Sequence, residues 1–451
     1  MVLPSATFAV SELGKITGIQ HYEERLLCTT LLLGKPDLRM VYLTSLPVDE
    51  DVVAYYLGFL PDPEGARRRL VLLNLDDQSP LPLTEKLLHR PDVTGHVRAL
   101  AAAAPPAHLL PFNVTPAEFA VAERMDLPVL GPHPDLVALG SKSGSRQVAR
   151  RAGVAVLEGS EDLWSLEEVE AAVHRIRDAR PSAETVVVKL NDGFSGQGNA
   201  LVELAGLASP LPLSPTTFCA GEESWPSYGA KIAAGGAIVE ELVRAGDVRS
   251  PSAQVRIAPG GSHEVISTHD QVLGGPRNQV YLGCRFPADA RYRRQIADAA
   301  GAVAEVLAGE GVIGSFGIDF LVVPGIDRDW VYLSEINLRM GGTTHPYWMA
   351  RLLTGATYDP VAGELTAGGR PVRYAATDNL KSPDLVGRTP AEVIEAVRRA
   401  GLAWDPAAGA GVTLHLLGAV PRFGKMGAVA IAPTLEQADE LATALGDVLG
   451  S

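Results

Sequence analysis

The amino-acid sequence predicts a protein of the α/β and α+β classes that is built from several domains. The chain has 451 residues, which is too long for one ordinary hydrophobic core. Apolar strand-like runs alternate with helical patterns in residues 1–140, as in a parallel α/β sheet. Later residues show pairs of apolar runs joined by glycine-containing turns, as in antiparallel hairpins. We therefore predict an α/β domain (1–140), a small subdomain with a glycine-rich hairpin (141–236), a larger subdomain (237–361) and a C-terminal α+β lobe (362–451).

Composition limits the function classes. Hydrophobic residues make up 46% of the chain and charged residues 20%, which is typical of a soluble globular protein. The net charge of −14 argues against sequence-independent binding to nucleic acid and against anionic membrane surfaces. Three cysteines without metal-binding spacing indicate buried thiols in a reducing compartment. A basic signal-peptide start and long apolar runs are both missing from the sequence, so we expect a cytoplasmic protein without nucleic-acid or membrane partners.

The N-terminal domain is predicted from strand and helix signals. Met40–Thr44, Leu70–Leu75 and the short run Pro128–Gly131 are predicted strands. Thr115 and Glu118 have the spacing of a capping box, so a helix is expected to begin there.

Residues 141–153, SKSGSRQVARRAG, are typical of a helix that starts with small polar residues. The free N–H groups of a helix start bind anions, and Lys142 adds a cation there. This pattern makes Lys142 a candidate phosphate contact, and an ordinary surface lysine is the alternative.

A long hairpin is predicted in Thr185–Leu204. Two apolar runs flank a nine-residue loop that contains Gly193, Gly196 and Gly198. Glycines let backbone N–H groups approach an anion closely, and Lys189 lies at the base of the loop. The order GxxGxG followed by a strand fits neither a P-loop nor a Rossmann turn, since both lead into helices. The loop is either a flap over phosphate groups or an ordinary hairpin loop.

The strand Ala237–Val243, followed by the turn Arg244–Asp247, is a candidate for nucleoside binding. Adenine and ribose need a backbone edge with alternating donors and acceptors, and a carboxylate for the hydroxyl groups. Glu240 and Glu241 at a strand end fit this need, but a solvated strand end explains them equally well.

A second hairpin is predicted around the turn PGIDRDW, between the runs IDFLVV and VYLSEIN. If this hairpin is symmetric about Asp327, Leu321 lies opposite Leu333 and Asp319 lies opposite Glu335.

This second hairpin predicts a metal site. Alternation along the strand places Asn337 on the same face as Asp319 and Glu335. Facing carboxylates repel each other unless a cation lies between them, and Mg²⁺ takes few protein oxygens when substrate phosphates complete its shell. Arg339 follows close by, where it can contact phosphoryl oxygens. An exposed polar strand end is the alternative.

The C-terminal lobe is predicted from capped helices that begin at Thr389 and Thr434, with the strands Val412–Leu417 and Ala428–Ala432. Between these strands, Lys425 lies in the segment PRFGKMG. A solvated turn is favoured there over a contact with an active site.

In order and spacing, these motifs resemble the ATP-grasp superfamily. Lys142, Lys189, the loop NDGFSGQGN, the strand VEELV, Asp319 and the ExNxR pattern that begins at Glu335 follow one another at domain-scale distances. Within the superfamily, KLNDGFSGQGNALV and SEINLRMGGTTHPYW are similar to peptide ligases of the pheganomycin-biosynthesis type. The resemblance covers residues 140–350. It implies an ATP-grasp fold with a pre-ATP-grasp α/β domain before it and a small C-terminal domain after it.

The resemblance implies a role for each matching residue. The residues implied to bind ATP are Lys142, Lys189, Gly193, Ser195, Gly196, Gly198, Glu240 or Glu241, Val243 through its backbone, and Asp247. The residues implied to hold Mg²⁺ are Asp319, Glu335 and Asn337.

One position departs from the family. D-alanine–D-alanine ligases place an arginine two residues before the first metal-binding acid, and this chain has Gly317 there. Charge at the acyl carbon must then be stabilised by Arg339 or by another arginine such as Arg256. Lys189 is expected to assist at the phosphoryl group.

The combined roles predict an ATP-dependent carboxylate–amine ligase, active in small-peptide biosynthesis. A carboxylate donor attacks the γ-phosphorus of Mg-ATP, and an amine or peptide acceptor then attacks the acyl phosphate. His269 and His345 are candidates for the base by residue type alone. Oligomeric state stays open at this point, and a homodimer is possible by analogy with the superfamily, in which dimers are common. The alternatives are an ATP-grasp enzyme with a non-peptide amine or a carboxylase-type nucleophile, and a nucleotide-binding protein without catalysis.

Overall fold

A computed structural model describes residues 1–8, 10–14, 16–192, 198–243, 248–274 and 280–450. The predicted ligands Gly193, Ser195, Gly196 and Asp247 lie outside these residues, whereas Gly198 lies inside them. In the part of the chain that is described, no helix combines the length and the apolar character needed to cross a bilayer.

Strands and helices alternate in the first third of the chain, and strands dominate the remainder. The strands are β1 (Val2–Leu3), β2 (Met40–Thr44), β3 (Leu70–Asn74), β4 (Leu110–Pro111), β5 (Gly159–Leu163), β6 (Thr185–Leu190), β7 (Asn199–Glu203), β8 (Thr216–Phe218), β9 (Ala237–Glu241), β10 (Pro251–Ile257), β11 (His263–Gly274), β12 (Val280–Phe286), β13 (Gly314–Val323), β14 (Trp330–Asn337), β15 (Thr357–Asp359), β16 (Glu364–Ala367), β17 (Arg370–Lys381), β18 (Gly411–His415) and β19 (Lys425–Ala432). The α-helices are α1 (Val10–Leu13), α2 (Glu50–Leu57), α3 (Pro63–Arg69), α4 (Leu83–Leu88), α5 (Pro91–Ala102), α6 (Pro116–Met125), α7 (Lys142–Arg151), α8 (Leu166–Ala179), α9 (Trp225–Gly235), α10 (Arg293–Gly309), α11 (Thr344–Thr354), α12 (Pro390–Arg399), α13 (Val420–Phe423) and α14 (Leu435–Leu449).

The N-terminal sheet has the strand order β3-β2-β1-β4 and is parallel throughout, as predicted. Helix α6 begins at the predicted capping box, in which the side chains of Thr115 and Glu118 each bond the backbone of the other residue. The predicted strand Pro128–Gly131 is wrong, because only Val129 pairs, in an isolated bridge to Leu109. Pro128 has no N–H to donate to a ladder, which limits pairing on that side.

The second sheet has the order β5-β9-β6-β7-β8 and contains the predicted glycine hairpin. Lys189 pairs with Asn199 in the last rung before the loop. The Tyr228 hydroxyl lies 3.0 Å from the carbonyl oxygen of Val188 and 2.8 Å from that of Gly198. Tyr228 of helix α9 thus donates to or contacts carbonyl oxygens on both sides of the hairpin base.

The third sheet is antiparallel and follows the path β14-β13-β10-β11-β12-β17-β16-β15, with β19 pairing β17 and β18. Strands from the predicted C-terminal lobe therefore continue the sheet that contains β13 and β14. These two strands form the hairpin that carries Asp319 and Glu335, called the acidic hairpin below. The predicted solvated turn at Lys425 is wrong. Lys425 begins β19, pairs with Lys381 of β17 and is only 2% exposed.

The acidic hairpin differs from the symmetric one in a single bulge. Asp319 pairs with Glu335 as predicted, but Leu321 pairs with Tyr332 instead of Leu333. The register shifts between Asp319 and Phe320, so one extra residue is accommodated on β14. The shift lies between this pair and the turn. It changes the pairing of the residues nearer the turn and leaves Asp319 opposite Glu335.

The 3-10 segment Ile19–Gly34 shares a hydrophobic core with the end of the chain. Leu26 and Leu31 belong to the same cluster as Val412, Met426 and Leu445. This packing places a segment near the N-terminus against β18, β19 and α14.

Glu23, in this 3-10 segment, predicts a pH dependence of stability. It accepts hydrogen bonds from the Ser45 backbone N–H at 2.5 Å and from the Ser45 hydroxyl at 2.7 Å. Burial raises the pKa of Glu23 to about 7, from 4.5. Between these values the native state binds more protons than the unfolded state, so the free energy of unfolding falls as pH rises from 4.5 to 7. Glu23→Gln removes this contribution, and urea unfolding at about pH 5 and about pH 7.5 measures the difference.

The control for this experiment is Glu50→Gln, since Glu50 is exposed and pairs with the exposed Arg67. It is expected to keep the wild-type pH dependence. If the free energy of unfolding of Glu23→Gln has the same pH dependence as that of the wild type, Glu23 is not its source.

Candidate active site

A cleft of about 540 Å³ lies where the three sheets meet. Among the described residues, its charged lining residues are Arg25, Lys142, Lys189, Asp319, Glu335, Arg339, Asp378, Lys381 and Lys425. Six of these are cations and three are carboxylates, although the whole chain carries a net charge of −14. The cleft is therefore a local positive site, as an anionic substrate requires.

The acidic hairpin delivers Asp319, Glu335 and Asn337 to the cleft. The Asp319 carboxylate accepts hydrogen bonds from the Gln271 amide at 2.7 Å and the Asn337 amide at 2.9 Å. Burial and the neighbouring charge of Glu335 raise the pKa of Asp319 to about 7. The two carboxylates thus destabilise each other's charge, which a cation between them would relieve.

Helix α7 brings Lys142 to this pair. Ser141 caps the helix by accepting from the Gly144 N–H at 3.0 Å. The Lys142 ammonium lies 3.2 Å from Glu335. The helix start is tied to the glycine hairpin as well, because Asn191 accepts from the Ser143 N–H at 3.0 Å.

Lys189 projects from β6 into the cleft and pairs with Glu240 on β9. The other oxygen of Glu240 lies 3.2 Å from the guanidinium of Arg146, a helix α7 residue that is 1% exposed. Arg146 also lies 3.1 Å from Glu161. Glu240 thus orients Lys189 and holds helix α7 against the sheet, and its contact with adenine stays a prediction.

The remaining residues predicted for the nucleoside lie at the end of β9. Glu241 is half-buried and lies 3.7 Å from Arg180. Val243 lies two residues beyond the end of the strand. Their contacts with adenine also stay predictions.

Arg339 lies beside the acidic pair and is held from two sides. Its guanidinium donates to the Asn337 amide oxygen at 2.9 Å and lies 5.2 Å from the centre of the Phe8 ring. Burial lowers the pKa of Arg339, and the charges of Glu335 and Asp319 oppose this effect. A Cβ atom added at Gly317 would meet open space, so packing does not require a glycine at this departure from the family pattern.

Three predicted catalytic candidates are not among the described residues that line the cleft. Arg256 pairs with the exposed Glu264, and Gln254, two residues earlier on β10, is the last residue of that strand to line the cleft. This placement does not support the predicted role of Arg256 at the acyl carbon.

The two histidine candidates are enclosed. His269 is 0% exposed and lies 2.6 Å from the Tyr374 hydroxyl, and burial lowers its pKa to about 3. His345 lies 3.0 Å from both Asp378 and His415, and burial lowers its pKa to about 4. Neither ring lines the cleft as the described residues form it. These placements remove both as the base that contacts the amine.

Several lining residues were not predicted. Gln254 alternates with apolar neighbours in β10, and this signal was available in the sequence. Gln271 follows the polar run STHD in β11 and carries no such signal. Arg25 and Asp378 carry no local motif, because long-range packing alone brings them to the cleft.

Two family models match parts of the chain. The model described as "ATP-grasp domain" matches residues 226–343, and the model described as "PGM1 C-terminal domain" matches residues 392–445. The first match contains the acidic hairpin.

A curated relative matches nearly the whole chain. L-propargylglycine–L-glutamate ligase of Streptantibioticus cattleyicolor is 34% identical over 451 residues, which cover 96% of this chain and 90% of the relative.

Solved structures share the fold at low identity. The biotin carboxylase–β-γ-ATP complex of Campylobacter jejuni has a TM-score of 0.59 and 16% identity, and the match covers 93% of this chain and 88% of that one. N5-carboxyaminoimidazole ribonucleotide synthetase of Thermus thermophilus has a TM-score of 0.55 and 16% identity, with coverages of 95% and 97%.

Proposed function

This chain belongs to the ATP-grasp ligase family, and we propose that it joins the carboxylate of one amino acid to the amino group of another amino acid or a peptide. It is an ATP-dependent carboxylate–amine ligase. The observation that carries the finer proposal is the convergence of Lys142, Lys189, Asp319, Glu335 and Arg339 on one cleft. The name of the 34%-identical relative pairs two amino acids as substrates, which supports the same substrate class.

The residues at the acidic pair fit Mg²⁺. Asp319 and Glu335 supply carboxylate oxygens, the ligands that this ion prefers. When bound, the ion neutralises charge on the transferring phosphoryl group. Asn337 would join them through its amide oxygen, which accepts from Arg339 here while the amide nitrogen donates to Asp319.

The cations of the cleft suit phosphoryl transfer. The donor carboxylate attacks the γ-phosphorus of ATP, which yields ADP and an acyl phosphate. Lys142 and Lys189 lie on separate elements and can each neutralise part of the phosphate charge. Their carboxylate partners, Glu335 and Glu240, hold them in place before ATP binds.

The second step needs a neutral amine at the acyl carbon. The amine attacks the acyl carbon, the oxyanion forms beside Arg339, and phosphate leaves with the proton that the nitrogen loses. An exposed acyl phosphate would hydrolyse, so water must be excluded from the cleft during both steps. Coverage of the triphosphate by the glycine loop, homodimer formation and a cytoplasmic location stay predictions.

The test is ADP release from Mg-ATP with each common L-amino acid, alone and in pairs with amino acids or short peptides. We expect ADP only when a carboxylate donor is present, and an amide of the summed mass less water when an acceptor is added. The Glu335→Ala variant supplies the background rate.

Other outcomes favour the alternatives. ADP release that needs bicarbonate and no amino-acid carboxylate would support a carboxylase-type nucleophile. ATP binding without ADP above the Glu335→Ala background, for every pair, would contradict the ligase and support a binding protein.

A further inference from the structure

One end of the cleft holds two lysines in direct opposition. Lys381 on β17 pairs with Lys425 on β19, and both line the cleft. Like charges directly opposite each other on a sheet are destabilising. The buried Lys425 ammonium donates to two neutral oxygens, the Tyr22 hydroxyl at 2.7 Å and the Thr17 carbonyl at 3.3 Å. Burial, followed by the charge of Lys381, lowers the pKa of Lys425 to about 8.

A third cation, Arg25, lies at the same end. Its guanidinium lies 4.5 Å from the centre of the Tyr22 ring and 4.8 Å from that of Phe112. The side chain is 11% exposed, and its buried Nε has no hydrogen-bond partner among the described residues. A guanidinium that is held between two rings and lines the cleft is suited to binding a carboxylate.

The single carboxylate that lines this end, among the described residues, is already shared. Asp378 lies 3.3 Å from Arg25, 2.7 Å from His415 and 3.0 Å from His345. The two imidazole nitrogens and an Asp378 oxygen converge closely, as they do in metal sites. The surrounding Arg25 and Lys425 oppose a divalent cation there, so the charge balance favours an anion in the cleft.

This cationic end is adjacent to the reacting groups. The Phe112 carbonyl, next to the ring that stacks on Arg25, accepts from the Met340 N–H at 3.0 Å. Met340 directly follows Arg339, and the charge of Arg25 acts on Arg339. Arg25 and Arg339 line the same cleft, so two separate cations are available there to a small molecule with two anionic groups.

We infer that Arg25, Lys381 and Lys425 form a subsite that binds the non-reacting carboxylate of an amino-acid substrate. This inference rests on the proposed ligase function and names a specificity determinant for it. The carboxylate belongs either to a dicarboxylic donor or to the amine acceptor. It accepts hydrogen bonds from Lys425 and from Arg25, and it separates the charges of the two opposed lysines.

The test compares free acids with their α-amides. Wild type and Lys425→Met are titrated calorimetrically, in the presence of Mg-ADP, with the common L-amino acids and their α-amides. ADP release is then measured with the acceptor amidated, or with a dicarboxylic donor amidated at the carboxylate that does not enter the amide product. We expect amidation of one substrate to weaken binding and kcat/KM in the wild type by roughly 10- to 100-fold, the range for a hydrogen bond to a charged group. Lys425→Met is expected to bind both forms equally, and the substrate whose amidation matters identifies the source of the carboxylate.

Two further variants distinguish loss of the subsite from misfolding of Lys425→Met. Lys381→Met changes an exposed side chain and is expected to reduce the same preference without loss of stability. Lys231→Met removes an exposed lysine of helix α9 that pairs with Glu223, and it is expected to keep the wild-type preference.

The outcomes separate this inference from the proposed function. If the protein is an active ligase, and Lys425→Met and Lys381→Met both keep the wild-type preference for the acid over the amide, the subsite alone is overturned. If the wild type binds the acid more tightly than the amide, the two variants lose this preference, and no pair of substrates gives ADP, the ligase function is overturned and the subsite stands. No acid-to-amide preference in binding by the wild type, for any member of the panel, overturns the subsite as well.

Discussion

Glu335→Gln is expected to lower kcat/KM for ADP formation by about 10³-fold. The carboxylate lies opposite Asp319 and 3.2 Å from Lys142, so glutamine removes a proposed metal ligand and the partner of a proposed phosphate-binding cation together. Metal stabilisation of transition-state charge is worth several kcal/mol, which corresponds to this factor. Initial rates over a range of Mg²⁺ concentrations measure the loss, and added Mg²⁺ should recover part of it.

The matched control is Glu264→Gln. Glu264 pairs with Arg256 on the neighbouring strands and does not line the cleft formed by the described residues. Its rate is expected to stay within about twofold of the wild type, since exposed pairs contribute little. If Glu335→Gln retains activity within about tenfold of the wild type at all Mg²⁺ concentrations, the metal assignment is wrong.

Glu240→Gln is expected to destabilise the subdomain that contains the glycine hairpin by about 3–5 kcal/mol. Glu240 is 4% exposed, and its oxygens pair with Lys189 and with the fully buried Arg146. Glutamine at this position leaves Arg146 with Glu161 as its paired carboxylate and leaves Lys189 without the Glu240 charge. This partial loss of charge compensation at a buried site is the source of the cost. Urea unfolding followed by the fluorescence of Trp225, which packs in the core of this sheet, measures the change.

The adjacent residue supplies the control. Glu241→Gln removes a carboxylate whose partner, Arg180, is 53% exposed, so a loss below about 1 kcal/mol is expected. Equal unfolding midpoints for the two variants would show that the Glu240 pairs contribute no more than a surface pair.

The sequence predicted the parts of the site that are local. Asp319 and Glu335 were found from one hairpin, because strand pairing with period two is decided by neighbouring residues. The bulge that shifts Leu321 was not predictable, since a single accommodated residue leaves no pattern of its own. Capping boxes predicted helix starts correctly because their hydrogen bonds lie within one turn.

The parts that depend on distant contacts could not be predicted. Lys425 has the surroundings of a solvated turn in the sequence, and only its pairing with Lys381 and its contact with Tyr22 show that it is buried. The same reasoning applies to Arg256, His269 and His345, which were chosen by residue type. Residue type indicates possible chemistry but does not tell which surface a strand presents.

The shared core of Ile19–Gly34 and the C-terminal strands sets an order of events during synthesis. Tyr22 and Lys425, which meet in the cleft, are 403 residues apart in the chain. A nascent chain on the ribosome can build the glycine hairpin and the acidic pair before β19 has been translated. The cationic end of the cleft is completed only afterwards, so an incomplete chain would carry the proposed nucleotide site without the proposed carboxylate subsite.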